Sequence, residues 1–164
     1  MKMTLDPIKI NDREEIVDIL NHYIENSMAA YLDRPVPYEF FDGLMKLCEG
    51  YPTVAARDKN KRLVGFGLLK PYHSAPTFSK TAEITYFLHP ESTGKGIGRA
   101  ILEKLVSDGR NMGLTSIIAS ISSINEGSIR FHLKNGFVEC GRLAKVGIKG
   151  GYSFDVVYCQ KMLY

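Results

Sequence analysis

Residues 89–106 read HPESTGKGIGRAILEKLV, and this stretch decides how the chain is understood. Gly94, Gly96 and Gly98 strip the side chains from a short loop, and an apolar-periodic helix starts directly behind it. The backbone N–H groups of residues 94–99 then lie at a helix N-terminus, where unpaired donors and the helix dipole favour an anion. Lys95 and Arg99 add positive charge. A pyrophosphate suits such a loop.

Four readings of the loop compete. The phosphate loop GxxxxGK[ST] has no match in the chain. The dinucleotide fingerprint GxGxxG needs a third glycine where Arg99 stands, and an early place in a βαβ unit, whereas three strands precede this loop. The acyl-coenzyme A loop, [QR]-x-x-G-x-[GA], is met in its glycine half by Gly96-Ile97-Gly98. A glycine-rich turn without ligand is the fourth.

Working outward, PIKI (7–10) reads as a short strand. Asn11 caps a helix with Ile16, Ile19, Leu20, Tyr23 and Ile24 on one face. After RPVPY, a second helix presents Phe40, Phe41, Leu44 and Leu47. TVAARD and RLVGFGLLKPY form a hairpin turning at DKNKR, and TAEITYFL (81–88) is the strand that feeds the glycine loop. Behind the long helix, which runs to about Met112, LTSIIASIS is an apolar strand. NEGSIRFHLKNGF is a short helix closed at Asn135-Gly136, and two final strands follow near 137–146 and at YSFDVVYCQKML. The order β-α-α-β-β-β-α-β-α-β-β predicts one α/β domain over 1–164 with a partly antiparallel sheet.

Composition narrows the function classes. The chain has 164 residues, 45% apolar and 24% charged, which is ordinary for one globular domain with a full core. A net charge of +3 is compatible with an anionic ligand and gives no reason to expect nucleic acid. Cys48, Cys140 and Cys159 lack metal-ligand spacing and fit free thiols in a reducing cytoplasm, so no metal is expected. No signal peptide or membrane-spanning segment is expected, and the localisation read from these features is cytoplasmic.

Several separated stretches, in order and in register, resemble the GNAT N-acetyltransferases and more closely their phosphinothricin acetyltransferase-like branch. They are NHYIENS (21–27), TAE (81–83), the loop itself, Asn125 to Phe137, and Lys149, Gly151, Asp155 and Val156. The resemblance implies a GNAT fold, with a mixed, mostly antiparallel sheet of six to seven strands and about four helices. It implies acetyl-CoA as cosubstrate. Backbone groups of Tyr86, Phe87 and Leu88 would bind the pantetheine arm, and Gly94, Lys95, Gly96, Ile97, Gly98 and Arg99 the pyrophosphate. Asn125 and Ser128, at the head of the next helix, would face the cofactor. A plain helix N-cap is compatible with that place for Asn125.

For chemistry, the resemblance makes Glu83 the base that takes a proton from the amine. Its place mid-strand among apolar residues predicts burial. His132 stands where many relatives carry a tyrosine acid, and is a candidate acid, base relay or structural residue. Backbone N–H groups around Tyr86 would polarise the acetyl carbonyl. His73, Glu83 and Thr85 would line the acceptor, a small primary amine. A homodimer is expected by resemblance alone.

The chain departs from the pattern in three places. Thr93 replaces the usual Gln or Arg ahead of the glycines. Positions 73 and 79, where relatives that take amino-acid-like substrates place arginines, hold His73 and Ser79, with Lys80 alongside. The chain has no tryptophan. The leading expectation is direct acetyl transfer to an amino-acid-like amine such as a glutamine analogue or methionine derivative. A polyamine, aminoglycoside or protein N-terminus is the second, favoured if Glu25, Asp33 and Glu39 converge. A non-catalytic acyl-CoA-binding module is the third.

Overall fold

In the computed structural model, which describes residues 3–164, the element order matches the sequence reading. The first strand does not. It occupies β1 (Thr4–Asp6) rather than 7–10, because Ile10–Asp12 coil into a single 3-10 turn. That turn moves the helix cap from Asn11 to Asp12. Asp12 is buried, accepts from Lys9 N at 2.8 Å and pairs with Arg57, which compensates its charge.

Helix α1 (Arg13–Asn26) buries Ile16, Val17, Ile19, Leu20 and Ile24, the stripe its 3.6-residue period places on one side. Helix α2 (Phe40–Leu47) adds Phe41. Strands β2 (Thr53–Arg57), β3 (Leu63–Pro71), β4 (Thr81–Leu88), β5 (Ser116–Ser122), β6 (Val138–Lys149) and β7 (Tyr152–Met162) join β1 in one sheet of order β1-β2-β3-β4-β5-β7-β6. Helices α3 (Ile97–Asn111) and α4 (Glu126–Lys134) complete the chain.

Two hydrophobic layers sandwich the sheet. One collects Ile97, Ile101, Leu102 and Leu105 of α3 against Leu69, Ile84, Ile117 and Val157, with Ile129 and Phe131 of α4 alongside. The other packs Ile16, Ile19 and Phe41 on Phe66 and Ala55, with Phe87 at its border. Strand alternation explains the split. On β3, Gly65, Gly67 and Leu69 face α3, and Phe66, Leu68 and Lys70 face the opposite side. A methyl group at Gly67 would come within 2.6 Å of Ile101, so α3 lies directly on the strand.

Six neighbouring strand pairs make this sheet, and five are antiparallel; β4 and β5 are parallel. That pairing covers Thr81↔Ser116, Ala82↔Ile117 and Glu83↔Ile118. Beyond it β4 continues to Leu88 held only by β3, and β5 continues to Ser122 held only by β7. A wedge therefore opens in the middle of the sheet, with Glu83 at its vertex.

Candidate active site

The upper half of β4 borders the wedge with an unpaired backbone edge. His89 N donates to Val64 O (2.9 Å) and Tyr72 N to Thr81 O (3.4 Å) at the two ends of the β3–β4 ladder. Alternation between them gives the odd-numbered residues of β4 to β3 and turns the N–H and C=O groups of Ile84, Tyr86 and Leu88 toward the wedge. Phe87, expected to offer its backbone to a ligand, spends it on β3 instead. Its ring fills the space between Tyr23 and Phe66, with centroids 5.1 and 6.0 Å away. Leu88 O already accepts from the Tyr23 hydroxyl at 2.7 Å, which leaves its N–H for the wedge.

The glycine loop closes the wide end. Gly94 (φ +73°) and Gly96 (φ +79°) take left-handed backbone conformations that L-residues rarely adopt, and no atom lies within 4 Å of where their side chains would be. Gly96 caps α3 without any side-chain bond, so the first N–H groups of the helix point outward unclaimed by a cap. This open, uncapped cradle fits a pyrophosphate. The two cations contribute less than expected. Lys95 Nζ donates to Glu91 O (2.7 Å), and Arg99 Nε bonds Glu103 (2.7 Å) one turn along the helix.

Helix α4 begins beside the wedge. Asn125 is its N-cap, accepting from Ser128 N at 3.3 Å. Two turns on, His132 is 4% exposed and held from both ends of its ring. Nδ1 lies 2.7 Å from Ser128 O and 3.3 Å from Ser128 Oγ, while Nε2 lies 2.5 Å from the Tyr86 hydroxyl. A carbonyl can only accept, so the Nδ1 proton is fixed and Nε2 is the acceptor for Tyr86 O–H. Burial lowers the His132 pKa, against a smaller opposing effect of the Ser128 carbonyl. Burial likewise raises the Tyr86 phenol far above its usual range. The pair is a neutral imidazole and a neutral phenol.

The vertex differs from the expectation that Glu83 is buried. Its side chain is 29% exposed, and Lys70, its register partner on β3, places Nζ 3.5 Å from Oε1. Thr85 follows two residues later on the same face. Across the wedge Ser120 of β5 lies on that face too, and Tyr31 reaches over from the loop between α1 and α2 to place its hydroxyl 3.0 Å from Ser120 Oγ. The Tyr31 ring stacks on Phe154 of β7, centroids 5.9 Å apart. Lys149 fixes this loop by donating to Ser27 O and Ala30 O at 2.8 and 2.7 Å. His73 is exposed in the β3–β4 loop, its ring tilted against Phe78 with centroids 4.8 Å apart, and its Nδ1 accepts from Ala75 N at 3.0 Å. Lys70, Tyr31 and Ser120 escaped the sequence reading. The only available signal was the alternation of β3, which puts Lys70 on the face of Phe66 and Leu68.

A split strand pair beside an uncapped helix suits an extended thioester: the pantetheine arm can run along β4 like a missing strand while its phosphates reach the loop. The fold and the wedge define an acetyl-CoA-dependent N-acetyltransferase. The chain belongs to the acetyltransferase (GNAT) family, whose model matches residues 16–137.

Among its relatives, L-methionine sulfoximine/L-methionine sulfone acetyltransferase of Salmonella typhimurium is 30% identical over 156 residues, 93% of this chain and 90% of the relative. Phosphinothricin N-acetyltransferase of Streptomyces viridochromogenes is 28% identical over 156 residues, 94% and 85% of the two chains. Among solved structures, a Salmonella typhimurium acetyltransferase with its cofactor acetyl-CoA superimposes with a TM-score of 0.91 at 29% identity, covering 99% of this chain and 94% of that one. A phosphinothricin acetyltransferase from Sinorhizobium meliloti in complex with acetyl-CoA gives 0.93 at 28% identity, covering 99% and 89%. Acetyl-CoA is the acetyl donor. Among the described residues no helix is long and apolar enough to cross a membrane, and no cluster of His, Cys, Asp or Glu forms a metal site.

Proposed function

We propose that this enzyme acetylates the primary amine of a small amino-acid-like substrate, of the methionine sulfone, methionine sulfoximine or phosphinothricin type. The observation that carries the reading is the position of Glu83, a reachable carboxylate at the vertex where the two strands part. The relatives named for such substrates support it.

Acetyl-CoA supplies an activated acetyl group as a thioester. The unpaired groups of Tyr86 and Leu88, with the loop from Gly94 through Ile97 and Gly98 to Arg99, hold its arm and phosphates, and Tyr86 N–H is placed to polarise the acetyl carbonyl. Asn125 and Ser128 shape the start of α4 beside it. Glu83 accepts the proton that the ammonium must lose, directly or through a water, freeing the nitrogen lone pair. The N–C bond forms as the C–S bond breaks, and the thiolate leaves, taking up the second proton that the nitrogen sheds as it becomes an amide. Thr85 and His73 border the acceptor side. His132 has no proton on the nitrogen that faces Tyr86, so we assign it a positioning role, fixing Tyr86 and α4, rather than that of the acid. The enzyme acts in the cytoplasm as a homodimer. Support for the latter is the outer strand β6, an unpaired edge with exposed Val138, Leu143, Val146 and Ile148.

The test is thiol release from acetyl-CoA with methionine sulfone, methionine sulfoximine, phosphinothricin, spermidine and an aminoglycoside. Turnover of at least one of the first three, lost in Glu83→Gln, is expected. Turnover confined to the last two would replace this reading by the polycation one.

A further inference from the structure

We infer that Lys70 is the residue that recognises the carboxylate of the acceptor, so that the Lys70–Glu83 pair forms a receptor for an α-amino acid zwitterion. This rests on the amino-acid reading above and names the group that would enforce it.

The inference starts from a missing residue type. Where the resemblance leads one to expect carboxylate-binding arginines, at positions 73 and 79, this chain has His73 and Ser79. No arginine occurs between Arg62 and Arg99. Arg62 sits at the far end of β3, bonded to His89 Nε2 at 2.8 Å. Arg99 is tied to Glu103. Lys149 is taken up by two backbone carbonyls. Among the described residues, the cation paired with Glu83 is Lys70, and a carboxylate arriving there meets it.

The geometry of the pair suits displacement. At 3.5 Å the Nζ–Oε1 separation is outside good hydrogen-bond range, and among the described residues neither head group has another side-chain hydrogen bond. Both side chains are about equally reachable, 30% and 29% exposed. An ion pair so loose and so wet contributes little to stability. A zwitterion offers each partner a better one: its ammonium meets Glu83 and its carboxylate meets Lys70, the two charges being separated by a single carbon. The same lysine repels an acceptor that brings a second positive charge. One β3 side chain thus selects for amino acids and against polyamines.

The test compares kcat/KM for L-methionine sulfone, its carboxamide and 3-(methylsulfonyl)propylamine, with acetyl-CoA as donor. In the wild type the amino acid should be preferred over both neutralised analogues by about 10- to 100-fold, the range of a charge-assisted hydrogen bond. In Lys70→Gln that ratio should collapse toward one, mainly through KM for the amino acid, and Lys70→Arg should restore most of it. A wild-type ratio near one, or a Lys70→Gln enzyme that keeps the wild-type ratio, overturns the assignment while the amine acetyltransferase reading stands. If spermidine is acetylated and none of the three sulfones is, the amino-acid reading itself falls and takes this one with it. Thermal unfolding of both variants within a few degrees of wild type separates a specificity change from a folding defect.

Discussion

The two walls of the wedge are built in different ways. The proposed donor wall is made of backbone, drawn from one continuous stretch, residues 84–99, with the start of α4 beside it. The proposed acceptor wall is made of side chains from four separated segments: Tyr31, Lys70, Glu83 and Ser120. A wall of peptide groups tolerates side-chain change, which is why Thr93 can replace the usual Gln or Arg and leave the uncapped N-terminus of α3 intact. A wall of side chains changes its specificity with a single residue.

The sharpest way to break this division is at the vertex. Glu83→Gln should lower kcat/KM for the amine by about 100-fold or more, the usual contribution of a positioned base, with the affinity for acetyl-CoA within about twofold of wild type. Steady-state kinetics and calorimetric titration with CoA read the two effects. A comparable loss of CoA affinity would mean that the walls are not independent. Next in size is Gly96→Val on the donor side. A left-handed backbone costs an L-residue about 1–2 kcal/mol, so the loop must strain or rearrange. KM for acetyl-CoA should rise about tenfold, equivalent to about 1.4 kcal/mol, while KM for the amine stays within about twofold.

The same contrast decides what could be read in the sequence. The glycine loop, β4 and the Asn125 helix are local patterns, and their boundaries emerged nearly where the residues predicted. The pairing of β3 with β4 is not local, so nothing in PYHSAPTFSK revealed that Lys70 stands opposite Glu83. The apolar strand neighbours of Glu83 predict its burial. Those neighbours, Ala82 and Ile84, point to the α3 face, and Glu83 points to the other. The family resemblance gives the backbone of Phe87 to the pantetheine arm. Alternation of the ladder, visible only with the register in hand, gives its backbone to β3.

His132 lies behind the donor wall and tests it from a third direction. As a positioning residue it should cost less than about tenfold in kcat when changed to Gln, whereas loss of a true general acid costs about 100-fold or more. It also carries a pH signature. Burial lowers its pKa below the ordinary 6.5, so the unfolded chain binds the proton more readily. Stability is then full above about pH 6.5 and declines as the pH falls below that value. Thermal unfolding between pH 7.5 and 5.5 should show a flatter profile in His132→Gln than in wild type. Equal slopes would show that His132 is not held neutral.

The smallest effect belongs to Tyr31, the side chain that crosses the acceptor mouth. Tyr31→Phe keeps the ring on Phe154 and deletes only the hydroxyl that meets Ser120. Both groups are partly open to water, so the net loss should be about 0.5–1 kcal/mol, a two- to fivefold rise in KM for the amine with no change for acetyl-CoA. Ser120→Ala should reproduce it. If the two hydroxyls act only by holding the loop across the wedge, the double variant will be no worse than either single one, because each change already removes the shared bond. Additive losses would instead mean that each hydroxyl touches the acceptor by itself, and the acceptor wall would then gain two recognition groups beside Lys70 and Glu83.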